Sequence, residues 1–273
     1  MVAPAKLYKY EPFTAQSLEN LKNQVIYFGS PLRFNDPYDC ALAPRVNEPT
    51  DEEVETIRDH YLRRSDLQDV TRSQFQDYTT AGLREMLVRI GKQMIEGEIA
   101  RFLSENGVSC FSERADSQLM WSHYAGHHKG FCLEFRTDSE PFRKIQQVTY
   151  AETMPACDLV PIICENRTDQ LVRDLFCTKS IDWKYEREWR ALHRETGTAY
   201  TYPAEALTGI YFGSEVSFAS FEIVALVLAG QNENVRLWKG SRSKSTFSVE
   251  FEPVTYTPHL LAKQSGLFKR TEA

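Results

Sequence analysis

Short runs in which hydrophobic residues alternate or cluster recur along most of the chain, and runs of this length predict β-strands. The predicted strands are Lys6–Tyr10, Val25–Phe28, Gly107–Ser112, Lys129–Phe135, Gln147–Tyr150, Trp183–Arg190, Ile210–Gly213, Val224–Ala229 and Phe247–Phe251. Pro253 limits the last strand, because proline cannot donate to a sheet ladder, and this favours a position near a sheet edge.

The pattern changes to a helical period between about residues 49 and 105. Thr50 precedes three acidic residues, which is typical of a helix N-terminus. Glycines at positions 82, 91 and 97 interrupt the apolar pattern between Arg72 and Leu103 and predict two or three helices there. Because strand-helix-strand repeats are few, the whole pattern predicts one α+β domain over residues 1–273 with a helical insertion at about 49–105.

The segment Trp183–Arg190 has the most unusual pattern, because alternation would divide it into two different faces. One face carries Lys184, Glu186, Glu188 and Arg190, and the other carries Trp183, Tyr185, Arg187 and Trp189. Two interpretations are open. The charges can form a ladder of surface pairs, or the two carboxylates can hold a cation or a ribose hydroxyl and stabilise a developing positive charge. Arg187, on the aromatic face, is expected to meet a buried acid, Asp36 or Asp39.

Two further segments carry candidate chemistry. Asn35 and Asp36 precede a proline, which predicts a rigid Asx turn near the site. His123 and His127 are four residues apart, which is the spacing of a two-histidine metal site on a helix. The glutamate of a zinc peptidase and a third ligand are missing from this segment. We therefore predict histidines that form hydrogen bonds at the edge of a cleft, and no metal.

Composition narrows the class of protein. The 273 residues are 42% hydrophobic, with a net charge of −6, and this argues against a general surface for nucleic acids or anionic membranes. No apolar run reaches the length of a membrane span, so the sequence predicts a soluble, cytoplasmic protein with no membrane partner. The six cysteines are irregularly spaced and are predicted to be reduced thiols. The basic segment Lys239–Lys244 is interpreted as a solvated loop, with a phosphate-binding patch as the alternative.

Four stretches together resemble the bacterial family catalogued as domain of unknown function 2971, over the chain from its start to about residue 215. The stretches are Leu7–Tyr10, Phe34–Asp39, the combination of Cys110–Ser112 with Met120–Tyr124 and His128–Gly130, and Trp183–Arg190. The family name implies no activity.

A more distant resemblance is to the ADP-ribosyltransferases, which carry a basic residue on the first strand, an aromatic or hydroxyl residue on a middle strand and a glutamate on a late strand. It implies small mixed or antiparallel sheets around a central cleft, and NAD as a substrate. It also implies catalytic roles for Glu188, Tyr124 and Glu186, with Glu186 orienting the acceptor. It further implies ligand-binding roles for Lys9, Tyr10 and Ser112. Apart from the resemblance, we also expect ligand-binding roles for Asn35, Asp36, Trp121, His123 and Arg190.

The resulting expectation is an enzyme that transfers ADP-ribose from NAD to a macromolecule, either protein or nucleic acid, or that hydrolyses NAD. The main alternative is a non-catalytic nucleotide-binding or sensor module, for example in bacterial defence. A third interpretation is purely structural, with Glu186 and Glu188 only pairing with neighbouring cations. Lys9 stands where the transferases have arginine or histidine.

Overall fold

A computed structural model describes residues 3–40, 43, 45–66, 68–167, 171, 174–229, 231–232 and 234–264. The strands are β1 Lys6–Glu11, β2 Val25–Phe28, β3 Arg45–Val46, β4 Gly107–Ser112, β5 Phe131–Arg136, β6 Gln146–Gln147, β7 Thr149–Ala151, β8 Ala156–Cys157, β9 Thr178–Ser180, β10 Glu188–His193, β11 Thr198–Thr201, β12 Leu207–Phe212, β13 Arg236–Arg242 and β14 Val249–Val254. The α-helices are α1 Ala15–Lys22, α2 Asp51–Leu62, α3 Asp69–Asp77, α4 Thr80–Glu105, α5 Gln118–Tyr124, α6 Leu159–Cys164, α7 Phe218–Leu228 and α8 His259–Gln264.

Within the described residues, eight strands form a mixed sheet in the order β14-β13-β12-β5-β1-β4-β10-β6. Neighbouring strands in it are antiparallel except β12 and β13, which are parallel. Two-stranded sheets pair β11 with β2, β3 with β8, and β7 with β9. The sheet is largely antiparallel and helices do not alternate regularly with parallel strands, so the α+β class is confirmed.

The large sheet consists of two halves that meet at one point. β1 pairs with β5 over six residues, and β4 pairs with β10 over six residues. Between the halves, β1 and β4 share a single register pair, Tyr8 with Ser112. The two strands therefore separate beyond this pair and leave a split in the sheet. On the far side of the split, Gly29 after β2 forms an isolated bridge with Val108 of β4.

The end of the helical block packs against the β4–β10 half, because Ile95, Ile99 and Phe102 of α4 share a core cluster with Val108 of β4. The side chain of Thr50 begins α2 with a capping box to Glu53, as the acidic start predicted. Two helices, α3 and α4, occupy the region where glycines predicted two or three, but the break falls at Tyr78–Thr79 and not at a glycine. Gly91 stays inside α4 because Leu159 packs there: a Cβ at Gly91 would lie 2.6 Å from a Leu159 methyl.

Two predictions about the second half of the chain are wrong. Val224–Ala229 was predicted as a strand, but residues 224–228 belong to α7. This helix buries Val224, Ala225 and Leu228, and an apolar run of six residues cannot distinguish a strand from such a helix. The segment Lys239–Lys244 is not simply a loop, since its first four residues lie in β13. The edge position predicted near Pro253 is confirmed, because β14 is the last strand of the sheet.

Candidate functional site

A cavity of about 510 Å³ occupies the split between β1 and β4. Successive residues of both strands line it, from Tyr8 to Glu11 and from Val108 to Ser112. Consecutive side chains of a strand point to opposite faces, so this lining means that the cavity follows the strand edges through the sheet.

The cavity is closed by a different helix on each face of the sheet. Leu7 of β1 packs in the same cluster as Leu21 of α1. Tyr10, on the opposite face of β1, makes an edge contact with Trp121 of α5, with ring centroids 5.2 Å apart. Residues of α1 and of α5 both line the cavity, which therefore reaches both faces.

The segment predicted as the strand Trp183–Arg190 is a strand only in its second part. Ile181–Glu186 forms a 3-10 helix, Arg187 follows in the left-handed conformation with φ 45°, and β10 begins at Glu188. The side chain of Ser180 caps the 3-10 helix by accepting from the Asp182 backbone. This turn, and not strand alternation, brings the Glu186 and Glu188 carboxylates to one place.

Arg187 does not have the buried acid that was expected for it. Its side chain is exposed, and within the described part of the chain no carboxylate lies within ion-pair distance of it. Arg190 has that acid instead: its Nη2 lies 2.7 Å from Asp39 Oδ1. Asp36 forms the predicted Asx turn, because its Oδ1 accepts from the Tyr38 backbone at 2.9 Å.

Five buried charges form one network at the wall of the cavity, and all of them except Arg190 line it. Lys179 Nζ lies 2.6 Å from Glu186 Oε2, 3.2 Å from Asp39 Oδ2 and 3.5 Å from Glu188 Oε2. Arg190 binds Glu188 through two contacts, at 2.8 and 3.0 Å. Each of the five side chains is at most 4% exposed. Three carboxylates therefore face two cations, and one negative charge is left without a counterion inside the network.

The surplus charge separates the pKa values of the two glutamates. Burial raises the pKa of Glu188, but the charges of Arg190 and Lys179 outweigh burial and lower this pKa to about 2. Burial, followed by the negative charge of Glu188, raises the pKa of Glu186 to about 7. Glu186 is therefore the carboxyl of the pair that can take up and release a proton near neutral pH.

A short chain of hydrogen bonds connects Glu186 to the cavity wall. The Tyr124 hydroxyl donates to Glu186 Oε1 at 2.5 Å, and Asn35 Nδ2 donates to the same hydroxyl at 3.3 Å. Burial and the Glu186 charge raise the pKa of Tyr124 well above its ordinary value, so the phenol stays protonated. Ser112 Oγ donates to the Glu186 backbone carbonyl at 2.6 Å and fixes the position of that residue.

The structure collects most of the predicted site residues in the cavity wall. The lining includes Lys9, Tyr10, Asn35, Ser112, His123, Tyr124, Glu186 and Glu188. Three predicted residues do not line it. Arg190 is fully buried behind Glu188, Asp36 is held in its turn, and Trp121 is fully buried with its Nε1 donating to the Ala115 carbonyl at 2.6 Å.

Two residues of the site were not named from the sequence. Lys179 completes the ion network, and Arg33 lines the cavity with an exposed side chain. Asp39, expected as a partner of Arg187, instead pairs with Arg190 and Lys179. Buried carboxylates need cations, so two acids on one predicted face were a signal that a lysine or arginine had to be close. Lys179 was missed because it lies before the strand that was predicted to carry the two acids, although it is seven residues from Glu186.

A histidine metal site has no support in the geometry. α5 ends at Tyr124, and His127 follows in the left-handed conformation with φ 56°, so His123 and His127 do not share a helix face. Across the residues that the structure describes, no group of three or more histidine, cysteine or acidic side chains could hold a metal ion.

No helix in the described part of the chain is long and apolar enough to cross a bilayer.

The part of the chain around this network is also the part that matches known sequences. Residues 120–191 match the family model described as Protein of unknown function (DUF2971). The matched segment begins inside α5, contains both glutamates and ends just after Arg190. No curated protein and no solved structure matches the chain.

Proposed function

We propose that the chain is an NAD-consuming, ADP-ribosyltransferase-like enzyme that transfers ADP-ribose to a macromolecule or hydrolyses NAD. The observation that carries the proposal is the Glu186–Tyr124 pair, which stands where the two half-sheets meet, in the wall of a cavity large enough for a dinucleotide. A carboxyl that ionises near pH 7, at the wall of a cleft between two half-sheets, supports this chemistry.

In this reaction, positive charge develops on the substrate next to the Glu186 carboxyl. When the bond between nicotinamide N1 and ribose C1′ breaks, the electron pair goes to the nicotinamide ring and positive charge develops on the ribose. A carboxylate beside the sugar stabilises that charge. The acceptor oxygen, from a macromolecule or from water, then bonds to C1′, and its proton passes to Glu186. Tyr124 and Lys179 hold the Glu186 carboxylate in position, because each donates a hydrogen bond to one of its two oxygens.

Two cations in the same cavity suit the diphosphate of NAD. Lys9 is partly exposed and has only a loose contact with Glu11, at 3.6 Å. Arg33 is exposed, and no described carboxylate lies within ion-pair distance of it. Both can therefore exchange water for phosphate oxygens without breaking a close ion pair.

The direct test is release of nicotinamide from NAD by the purified protein, with and without cell lysate as a source of acceptor. We expect release that depends on Glu186, and faster release with lysate if a macromolecule is the acceptor. Absence of release in both conditions contradicts the enzyme. The matched control is Glu113→Gln, because Glu113 lies near the same strands but holds Trp189 and does not line the cavity.

One observation favours the alternative, a non-catalytic nucleotide-binding or sensor module. Glu188 has ion-pair partners on both oxygens, from Arg190 and Lys179, so the carboxylate named first from the sequence is already neutralised within the protein. Such a module would be stabilised by NAD or ADP-ribose in a thermal-shift measurement and would release no nicotinamide. The two measurements together separate the module from the enzyme.

The pH dependence of turnover should follow the ionisation of Glu186. Because the carboxylate is the active form, NAD consumption is expected to rise as pH increases through about 7. The Tyr124 hydrogen bond lowers the pKa of Glu186, so Tyr124→Phe should move this limb to higher pH. The check is initial rate against pH for both proteins. An unchanged midpoint in Tyr124→Phe, or a limb that falls through pH 7, would contradict the assignment.

A further inference from the structure

The 3-10 helix before Arg187 exposes aromatic rings beside the cavity. Tyr185 and Trp183 are half-buried, with ring centroids 6.0 Å apart. His123, which lines the cavity, has its ring 6.2 Å from Tyr185 and 6.3 Å from Trp183. The inner side of Trp183 is covered by Lys179, whose Nζ lies 4.7 Å from the ring centroid. These three rings form a continuous aromatic surface that begins at the cavity wall.

Exposed cations alternate with these rings along the chain. Lys184 and Arg187 are both exposed, and the Arg187 backbone donates to the Lys184 carbonyl at 3.3 Å. No described carboxylate lies within ion-pair distance of either side chain. Glu186 does not neutralise them, because its carboxylate is buried against Lys179. Two acids that are at least partly exposed lie nearby and have other partners: Asp182 accepts from the Ser180 hydroxyl, and Asp116, whose charge interacts with that of Arg187, is paired with Arg114 at 2.7 Å.

We propose that this surface, formed by His123, Trp183, Lys184, Tyr185 and Arg187 and called here the aromatic-basic rim, binds a single-stranded nucleic acid. Aromatic rings stack on unpaired bases, and cations beside them neutralise the phosphate backbone. A duplex hides its base faces, so the rim suits a single strand. The net charge of the protein is negative, so most of its surface repels phosphates. Binding is therefore confined to the rim, where exposed cations have no carboxylate within ion-pair distance.

The position of the rim gives it a role at the proposed active site. A base stacked on His123 lies at the same wall of the cavity as Tyr124 and Glu186. If the proposed function holds, the strand is the acceptor of ADP-ribose. The binding itself does not depend on that chemistry, since it requires neither NAD nor Glu186.

The test is fluorescence anisotropy of short labelled DNA and RNA strands without NAD, at low and high salt, beside a duplex of the same sequence. The protein should bind a single strand, of DNA or RNA, more tightly than the duplex. Tyr185→Ala should weaken that binding by about tenfold, which is the size expected for one lost stacking contact. The exposed double variant Lys184→Glu with Arg187→Glu should weaken binding and flatten its salt dependence.

The control is Lys244→Glu, which reverses one charge in the other basic segment, as each half of the double variant does at the rim, and it should leave binding unchanged. Thermal melting of each variant shows whether it is folded. The proposal is overturned if no strand binds, if the duplex binds equally well, or if only Lys244→Glu weakens binding. Nicotinamide release is measured separately, so failure of nucleic-acid binding and failure of the enzyme proposal give different results.

Discussion

Arg190→Met is expected to lower the free energy of unfolding by about 3–5 kcal/mol, the range measured when one partner of a buried ion pair is removed. Arg190 is fully buried, and its guanidinium binds Asp39, both oxygens of Glu188 and the Phe176 carbonyl. Methionine fills a similar volume but leaves three buried carboxylates with Lys179 as their remaining cation in the network. Urea unfolding followed by circular dichroism measures the loss.

Arg114→Met is the matched control, because it removes an arginine–carboxylate pair from the surface. Arg114 binds Asp116 at 2.7 Å, but both side chains are at least 40% exposed. Solvent screens this pair, so the loss should stay below about 1 kcal/mol. Equal losses in the two variants would mean that the buried network contributes no more than a surface pair.

The dependence of the unfolding free energy on acidic pH gives a second readout for Arg190→Met. The pKa of Glu188 is lowered from 4.5 to about 2, so its ionic contribution to stability is complete above pH 4.5 and is lost as pH falls through about 2. Without Arg190 this pKa rises, and the loss should begin at higher pH. The slope of the unfolding free energy against pH, measured between pH 2 and 6, should therefore differ between the unsubstituted protein and Arg190→Met.

Local pattern was enough to predict elements whose hydrophobic residues alternate and whose ends carry turn residues. β2 at Val25–Phe28 and β4 at Gly107–Ser112 have the bounds that the sequence predicted. The same approach failed for α7, where an apolar run is buried on a helix, and for Trp183–Glu186. There, tertiary contacts override alternation: Glu186 is drawn to Lys179, and the chain turns through the left-handed Arg187 to do so.

For the candidate site as well, the sequence indicated which residues take part but not how they are arranged in space. Eight of the eleven residues named from the sequence line the cavity, because their motifs flank the strands that form its walls. What could not be predicted is the split between β1 and β4, which depends on a single register pair, Tyr8 with Ser112. The cation at the centre, Lys179, was also concealed, since it meets Asp39 across 140 residues of sequence and no local period connects them.

Glu186→Gln and Glu188→Gln should have opposite consequences, although the two residues are adjacent in the network. For Glu186→Gln we expect NAD consumption to fall by about 10²–10⁴-fold, the usual contribution of a general base. Its stability should hold or rise, because the raised pKa of Glu186 means that the folded protein disfavours the charged form of this carboxyl. The raised pKa of Glu186 means that its contribution to stability is present below pH 4.5 and is lost as pH rises through about 7, and the glutamine variant lacks this loss.

Glu188→Gln instead removes the carboxylate that binds Arg190 and Lys179, so the protein should be destabilised, by about 3–5 kcal/mol if the site relaxes little. Any loss of turnover in this variant should accompany the loss of folded protein. Nicotinamide release per folded molecule, with unfolding free energies at pH 5 and pH 8, distinguishes the two roles. A stable Glu188→Gln protein without turnover, beside an active Glu186→Gln protein, would reverse the assignment and make Glu188 the group that faces the ribose.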